Sequence, residues 1–290
     1  MIESATNQNQ RQEIGLERFS LRGRKALITG ASRGIGEALA LALAQAGADV
    51  ALCARSQTQL REIADQIEKL GCRALPLQCD VRKSAQVATC VTQAWQELGY
   101  LDILVNNAGG PVFQSPFLEM REEGWNKIVD LNLNSVFRVC QQVGRRMVER
   151  RAGSIINIAS TLPTRFWPSI SGYSSAKAGV INLSQNLAVE WGGAGVRVNV
   201  VCPGWIKTQL NQLYLSNPAR AELAIDNVPL ERWGETDDLA GVVIWLASEA
   251  ARYVTGAVIP VDGGFSVGMG RSWLRQMQML TPSERTAEDR

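Results

Sequence analysis

The chain is expected to fold as an α/β protein built on a doubly wound parallel sheet with helices on both faces. Three observations predict this. Short apolar runs alternate with segments of helical length from residue 25 to residue 261; most runs are apolar at every position; and a glycine-rich turn joins the first run to the first helix. A strand buried on both faces needs apolar side chains throughout, whereas a half-exposed strand alternates. Regular strand–helix alternation suits parallel strands joined by right-handed crossovers.

The expected strands are 26–29, 50–54, 74–79, 103–105, 154–160, 196–202 and 257–261. Between them, residues 35–46, 58–70, 84–98, 122–150 and 174–191 have helical length. No repeat, low-complexity tract or linker interrupts them, so one domain is expected over residues 21–267. Residues 1–20 are polar and read as an N-terminal extension. Residues 268–290 read as a tail, in which Trp273, Leu274, Met277 and Leu280 have the spacing of a short amphipathic helix ahead of Pro282. A long excursion at 204–229, between a strand and the next helix, is expected to close as a lid over a substrate.

Composition narrows the function. Of 290 residues, 46% are hydrophobic and 20% charged, and the formal net charge of +2 comes without a long basic run. This argues against nucleic acid or an anionic membrane as the main partner. No apolar stretch reaches the ~20 residues that span a bilayer, and the first residues hold no apolar leader segment, so a cytoplasmic location is expected. The six cysteines (Cys53, Cys72, Cys79, Cys90, Cys140 and Cys202) form no CxxC pair, and there is no histidine. No metal site is therefore expected, and the thiols read as small buried hydrophobes in a reducing compartment. Lack of histidine also removes the commonest general base.

The first strand runs into Thr29-Gly30-Ala31-Ser32-Arg33-Gly34-Ile35-Gly36. Glycines let a backbone turn sharply and approach a pyrophosphate, and the helix that follows offers unpaired N–H groups at its positive end. An NAD site would place a carboxylate ~20 residues on, at the end of the second strand, to hold the ribose hydroxyls. Here that strand ends Cys53-Ala54-Arg55-Ser56. Arg55, with Arg33 from the glycine turn, suits the 2′-phosphate of NADP(H) instead. Asp80-Val81 ends the third strand, where a carboxylate could accept from the adenine amino group. Asn106-Asn107-Ala108-Gly109 ends the fourth with small residues that a cofactor could pack against.

Tyr173-Ser174-Ser175-Ala176-Lys177 opens a helix. Positions i and i+4 share a face, so phenol and ammonium project together. A free phenol ionises at about 10, and a neighbouring cation is expected to lower that value toward a working general base. Ser160, at the end of the fifth strand, could donate to a substrate carbonyl and hold it near Tyr173.

With these residues in order, the chain resembles the short-chain dehydrogenase/reductase family, in its simple, non-extended branch, over about residues 21–264. The motifs carrying the resemblance are the Thr29–Gly36 turn, Asp80, the Asn106–Gly109 quartet, Asn132, Ser160, Tyr173, Lys177, Pro203-Gly204 and Thr208. The resemblance implies a Rossmann-like sheet of order 3-2-1-4-5-6-7 and a homotetramer or homodimer. It implies that Asn132 supports a water linking Lys177 to solvent, and that Asn107 packs around the cofactor. Ile206 and Thr208 would contact the nicotinamide carboxamide and the phosphates. It also implies reversible hydride transfer between NADP(H) and a carbonyl or alcohol carbon, with Tyr173 as acid and base and Lys177 also holding the ribose.

Substrate walls are expected from Pro163, Arg165, Phe166, Trp167 and Ile170, from Gly110, Pro111, Val112 and Phe113, and from Trp205, Leu210, Leu213 and Tyr214. Their apolar character suits a small apolar or cyclic ketone or aldehyde. The alternatives are reduction of 3-oxoacyl groups on acyl carrier protein and oxidation of gluconate or another polyol. Carrier docking would use basic residues at Arg151 and at the position held here by Ala194, so half of that contact is missing. The cluster Arg145, Arg146, Arg150 and Arg151 also suits a helix C-terminus. A non-catalytic NADP-binding regulator would be expected to lack one of Asn132, Ser160, Tyr173 or Lys177, and all four are present.

Overall fold

Seven runs become seven strands, and the five central ones are buried on both sides, while the edge strands are only partly covered. The computed structural model describes residues 15–165 and 167–270. The strands are β1 (Lys25–Thr29), β2 (Asp49–Ala54), β3 (Ala74–Gln78), β4 (Ile103–Asn106), β5 (Gly153–Ile158), β6 (Val196–Pro203) and β7 (Val258–Val261). All pair in parallel, in the order β3-β2-β1-β4-β5-β6-β7. Alternate side chains enter opposite cores. Ala26, Ile28, Val50 and Leu52 pack on one side, and Leu27, Ala51, Cys53 and Leu104 on the other. Each fully buried leucine or isoleucine contributes about 1.5–3 kcal/mol, enough to fix the register.

Helices α1 (Gly34–Gln45) and α2 (Gln57–Lys69) cover the first face. Helix α3 (Ser84–Leu98) covers the second. The stretch expected as one helix over 122–150 is not continuous. It divides into α4 (Glu122–Val129), a π-helical turn at Asp130–Asn134, and α5 (Ser135–Arg150). The cause is the Asn132 side chain, wholly buried, whose amide donates to Ile128 O at 2.9 Å and to Gly110 O at 3.1 Å. Polar insertion of this kind widens a turn, and apolar spacing carries no sign of it.

Helix α6 (Ser171–Gly192) returns the chain to β6. The excursion after β6 contains two short helices, α7 (Gln212–Leu215) and α8 (Pro218–Ile225), before α9 (Ala240–Ala247) leads to β7. Helix α9 completes the first face, while α5 and α6 lie with α3 on the second. Connections run to opposite sides from β1 and β4, so a crevice opens between their C-terminal ends, the usual ligand position in such sheets. No helix among the described residues is long and apolar enough to cross a membrane. The proposed helix at Trp273–Leu280 lies outside the described residues, as does Phe166.

Candidate active site

The glycine turn sits over this crevice and is sewn to the end of β4. Gly30 and Gly34 have φ of 66° and 60°. A side chain at Gly36 would place its Cβ 2.2 Å from Gly30 O and 2.5 Å from Asn107 Nδ2, so only glycine lets the turn close. Asn107 Nδ2 donates to Thr29 O and Gly30 O at 3.1 and 3.2 Å, and the Thr29 hydroxyl accepts from the backbone of Asn107 and Ala108. The α1 N-cap, Arg33, makes no side-chain capping bond, which leaves the first N–H groups of α1 directed at the crevice. Ser32 and Ile35 are half-buried within the same turn. This cradle fits a dinucleotide pyrophosphate.

At the outer end of the crevice, Arg33 and Arg55 are both exposed. Arg33 Nη1 reaches Gln209 Oε1 at 3.3 Å. Val81 is buried, but Asp80 is not left free: Arg82 takes both carboxylate oxygens, with Nη2–Oδ2 at 2.7 Å. The Arg82 guanidinium holds the Asp80 carboxyl below its usual range, and Arg55 adds a smaller pull. Asp80 as an adenine acceptor would therefore share its carboxylate with Arg82. Sequence reasoning passed over Arg82, although its place two residues after Asp80 was visible.

At the inner end, Ser160 lies just past β5, and Tyr173 and Lys177 occupy the first two turns of α6. They are 7%, 9% and 3% exposed, so all three are buried. The Ser160 hydroxyl lies close enough to the phenol to act on its ionisation. Lys177 Nζ donates to Ile158 O at 2.7 Å and stands 5.9 Å from the Tyr173 ring centre. A Cβ on Gly109 would fall 2.8 Å from Asn132 Oδ1 and 3.1 Å from Lys177 Nζ, so Gly109 keeps these two groups accessible to each other. Both ends of the Asn132 amide engage Gly110, Oδ1 accepting from Gly110 N at 2.8 Å. Its side chain thus holds the post-β4 loop.

The expectation of a lowered phenol is not met in the chain itself. Burial pushes Tyr173 up to about 12, and the nearby Ser160 hydroxyl only partly opposes it. Burial also brings Lys177 down to about 8. Lys177 therefore gives up its charge at lower pH than the phenol gives up its proton, and its Nζ donates to Ile158 O, so it does not hold a phenolate in the nucleotide-free chain. Cys202 was also missed: its buried thiol, pushed up to about 11 by burial, lies close enough to act on both Tyr173 and Lys177. Its place on a strand-end run was the available signal.

The 204–208 segment bridges the crevice. Gly204 packs on Asp262, Ile206 is buried and paired with Gly234, and Thr208 lies over Gly34. Pro203 ends β6. Leu210 rests on Gly110, and Gln114 Nε2 reaches the Tyr214 hydroxyl at 3.4 Å. Trp205 is the hub of an aromatic group, edge-on to Tyr214 (5.1 Å), Trp233 (5.4 Å), Trp167 (5.6 Å) and Phe265 (6.2 Å). Trp233 and Phe265 were not anticipated, because both lie beyond the excursion that sequence spacing outlined. The Trp205 Nε1 is buried without a hydrogen-bond partner among the described residues.

Known proteins agree with this geometry. The family model described as enoyl-(acyl carrier protein) reductase matches residues 30–266. A 2-dehydro-3-deoxy-D-gluconate 5-dehydrogenase of Pseudoalteromonas atlantica is 38% identical over 257 residues, covering 88% of this chain and 100% of its own. A 3-oxoacyl-(acyl-carrier-protein) reductase of Thermotoga maritima is 38% identical over 247 residues, 85% of this chain and 99% of its own. The crystal structure of a gluconate 5-dehydrogenase from Burkholderia cenocepacia, in complex with NADP and tartrate, superposes with a TM-score of 0.84 at 36% identity, covering 87% of this chain and 99% of that one. Sheet order, glycine turn and strand-end chemistry thus coincide with relatives matched along nearly their whole length, and the chain belongs to the short-chain dehydrogenase/reductase family of oxidoreductases.

Proposed function

We propose that the chain is an NADP(H)-dependent reductase of a small apolar or cyclic ketone or aldehyde, able to run in reverse on the alcohol. The observation that carries this reading is the convergence of Ser160, Tyr173 and Lys177, all buried, beside the glycine cradle. Bound NADPH supplies the hydride. Ser160 and Tyr173 donate to the carbonyl oxygen, which places the electrophilic carbon and stabilises the charge that gathers on oxygen. Tyr173 then gives up its proton. Lys177 would hold the ribose and, with Asn132 supporting a water that links it to solvent, return a proton to the phenol. Because burial keeps Tyr173 protonated, the resting pocket already holds the proton that reduction consumes. Oxidation needs the phenolate.

Arg33 and Arg55 support NADP(H) over NAD(H), since no carboxylate ends β2. The aromatic group around Trp205 supports an apolar substrate. A second reading, a sugar-acid ketone, is favoured by the relatives named as gluconate and deoxygluconate dehydrogenases and by Arg165, whose guanidinium stacks 5.5 Å from the Phe265 ring. Carrier-protein docking has less support. Arg150 binds Asp102 at 2.9 Å, Arg146 binds Thr92, and Arg151 binds Gly193 O, so three of the four basic residues serve the fold. The test is loss of NADPH absorbance against cyclic ketones, 3-oxoesters and keto-sugar acids. Turnover of cyclic ketones well above the others is expected; turnover confined to keto-sugar acids would favour the second reading, and none with any carbonyl would reject the enzyme.

A further inference from the structure

Three cysteines far apart in sequence meet under the outer end of the crevice. Cys53 is the penultimate residue of β2, Cys79 follows β3, and Cys90 lies in α3. Their sulfurs all lie within 4.8 Å of one another. Strand pairing explains it: Cys53 opposes Leu77 on β3, and Cys79 N donates to Ala54 O, so both thiols share the face that α3 covers. The three thiols are buried, as expected of small hydrophobes, and they also converge. CxxC spacing detects ligands on one local turn, and it misses ligands assembled from adjacent parallel strands.

The thiols are close enough to shift one another's ionisation. Cys53 and then Cys90 draw the Cys79 thiol well below its ordinary value, while Cys53 is pushed up by those contacts and by burial. All three are buried in the apolar core that α3 covers, and the Asp80 carboxylate beside Cys79 brings negative rather than positive charge. No histidine, aspartate or glutamate among the described residues joins the cluster as a fourth ligand. A surface pocket of ≈ 230 Å³ is lined by Cys90 with Gln78, Gln86, Thr89 and Gln93.

Charge decides what could bind. Three thiolates around a monovalent or divalent ion leave net negative charge in a buried site, which is costly. Zinc would also lack its fourth ligand. A soft trivalent centre with three sulfurs is neutral and needs no further donor. We propose that Cys53, Cys79 and Cys90 form a binding site for a trivalent thiophile of the arsenite class, entering past Cys90. Binding exchanges three As–O bonds of arsenous acid for three As–S bonds. Each thiol proton leaves with a hydroxide as water, and no atom changes oxidation state.

The same pocket wall holds the outer end of the crevice, because Gln78 Nε2 donates to Arg55 O at 3.0 Å and Asp80 N donates to Gln86 Oε1 at 2.8 Å. Loading is expected to weaken NADPH binding several-fold, a consequence that rests on the cofactor reading above. Sulfur coordination does not rest on it, so the two can fail separately.

The experiment adds sodium arsenite to the fully reduced protein and combines native mass spectrometry with arsenic X-ray absorption. One arsenic bound, three hydrogens lost and three sulfur neighbours are expected. Cys90→Ser should weaken binding by about 100-fold or more, as expected when a chelate loses an arm, and Cys72→Ser should leave it unchanged. Two sulfurs with an oxygen on the wild-type protein, or undiminished binding by folded Cys90→Ser, would overturn the proposal.

Discussion

The two ends of the crevice are built on opposite principles. The inner end buries its ionisable groups: Tyr173 and Lys177 are almost without solvent, and both are displaced from their ordinary pKa values by that burial. The outer end keeps Arg33 and Arg55 in water, and there the Asp80 carboxyl is held below its usual range by its Arg82 partner. Charge is worth most where dielectric screening is weakest. Chemistry therefore belongs at the inner end, while the outer end offers recognition of modest strength that can be released. Substitutions at the two ends should differ in kind: inner changes act on turnover, outer changes on cofactor choice.

The strongest attack on this contrast is Tyr173→Phe. Loss of a positioned acid should lower turnover by about 10²–10⁴-fold, with NADPH binding, followed by fluorescence, left near wild type. A matching fall in affinity would mean that the phenol holds the cofactor rather than the proton. Next comes Gly36→Ala, at the junction of the two ends. Its Cβ would meet Gly30 O at 2.2 Å, and backbone cannot give way cheaply. A loss of about 1–3 kcal/mol in urea unfolding is expected, together with weaker dinucleotide binding. Unchanged stability would mean that the turn is less constrained than its contacts with Asn107 imply.

Smaller still is Arg55→Ala. An exposed guanidinium opposite a 2′-phosphate should contribute about 1 kcal/mol or less after screening, so NADPH affinity should fall roughly fivefold or less. NADH affinity should hold, and equal losses for the two would separate Arg55 from the 2′-phosphate. The mildest test concerns pH. Alcohol oxidation requires the phenolate, so its rate should climb as pH rises through the alkaline range, while carbonyl reduction should not. A flat oxidation profile would place the proton on some other group.

Much of this was legible in the sequence, for physical reasons that also mark where legibility stopped. Continuous apolar runs revealed the five central strands, because a strand buried on both faces cannot hide its composition, and the half-covered edge strands followed from the alternation with helices. Gly30, Gly36, Tyr173 and Lys177 announced themselves through local spacing on a turn or one helix face. The π turn at Asn132 was invisible, because it depends on a bond to Gly110, more than twenty positions away in the chain. The sign of the Tyr173 shift was misjudged for a related reason. Spacing reported the nearby cation, and only the folded chain reported the loss of water around both groups. Cys53, Cys79 and Cys90 converge through sheet pairing, which no one-dimensional motif encodes.

The account stands most directly on the claim that the fold alone holds Tyr173 protonated, so that the bound cofactor, rather than Lys177 by itself, must bring the phenol into use. The chain has four tyrosines, and subtracting the Tyr173→Phe titration from that of wild type isolates one phenol by its ultraviolet absorbance. Without nucleotide, phenolate at Tyr173 should form only above the ordinary tyrosine range, near about 12, and with NADP⁺ it should form at distinctly lower pH. Ionisation near neutrality in the nucleotide-free protein would contradict the account.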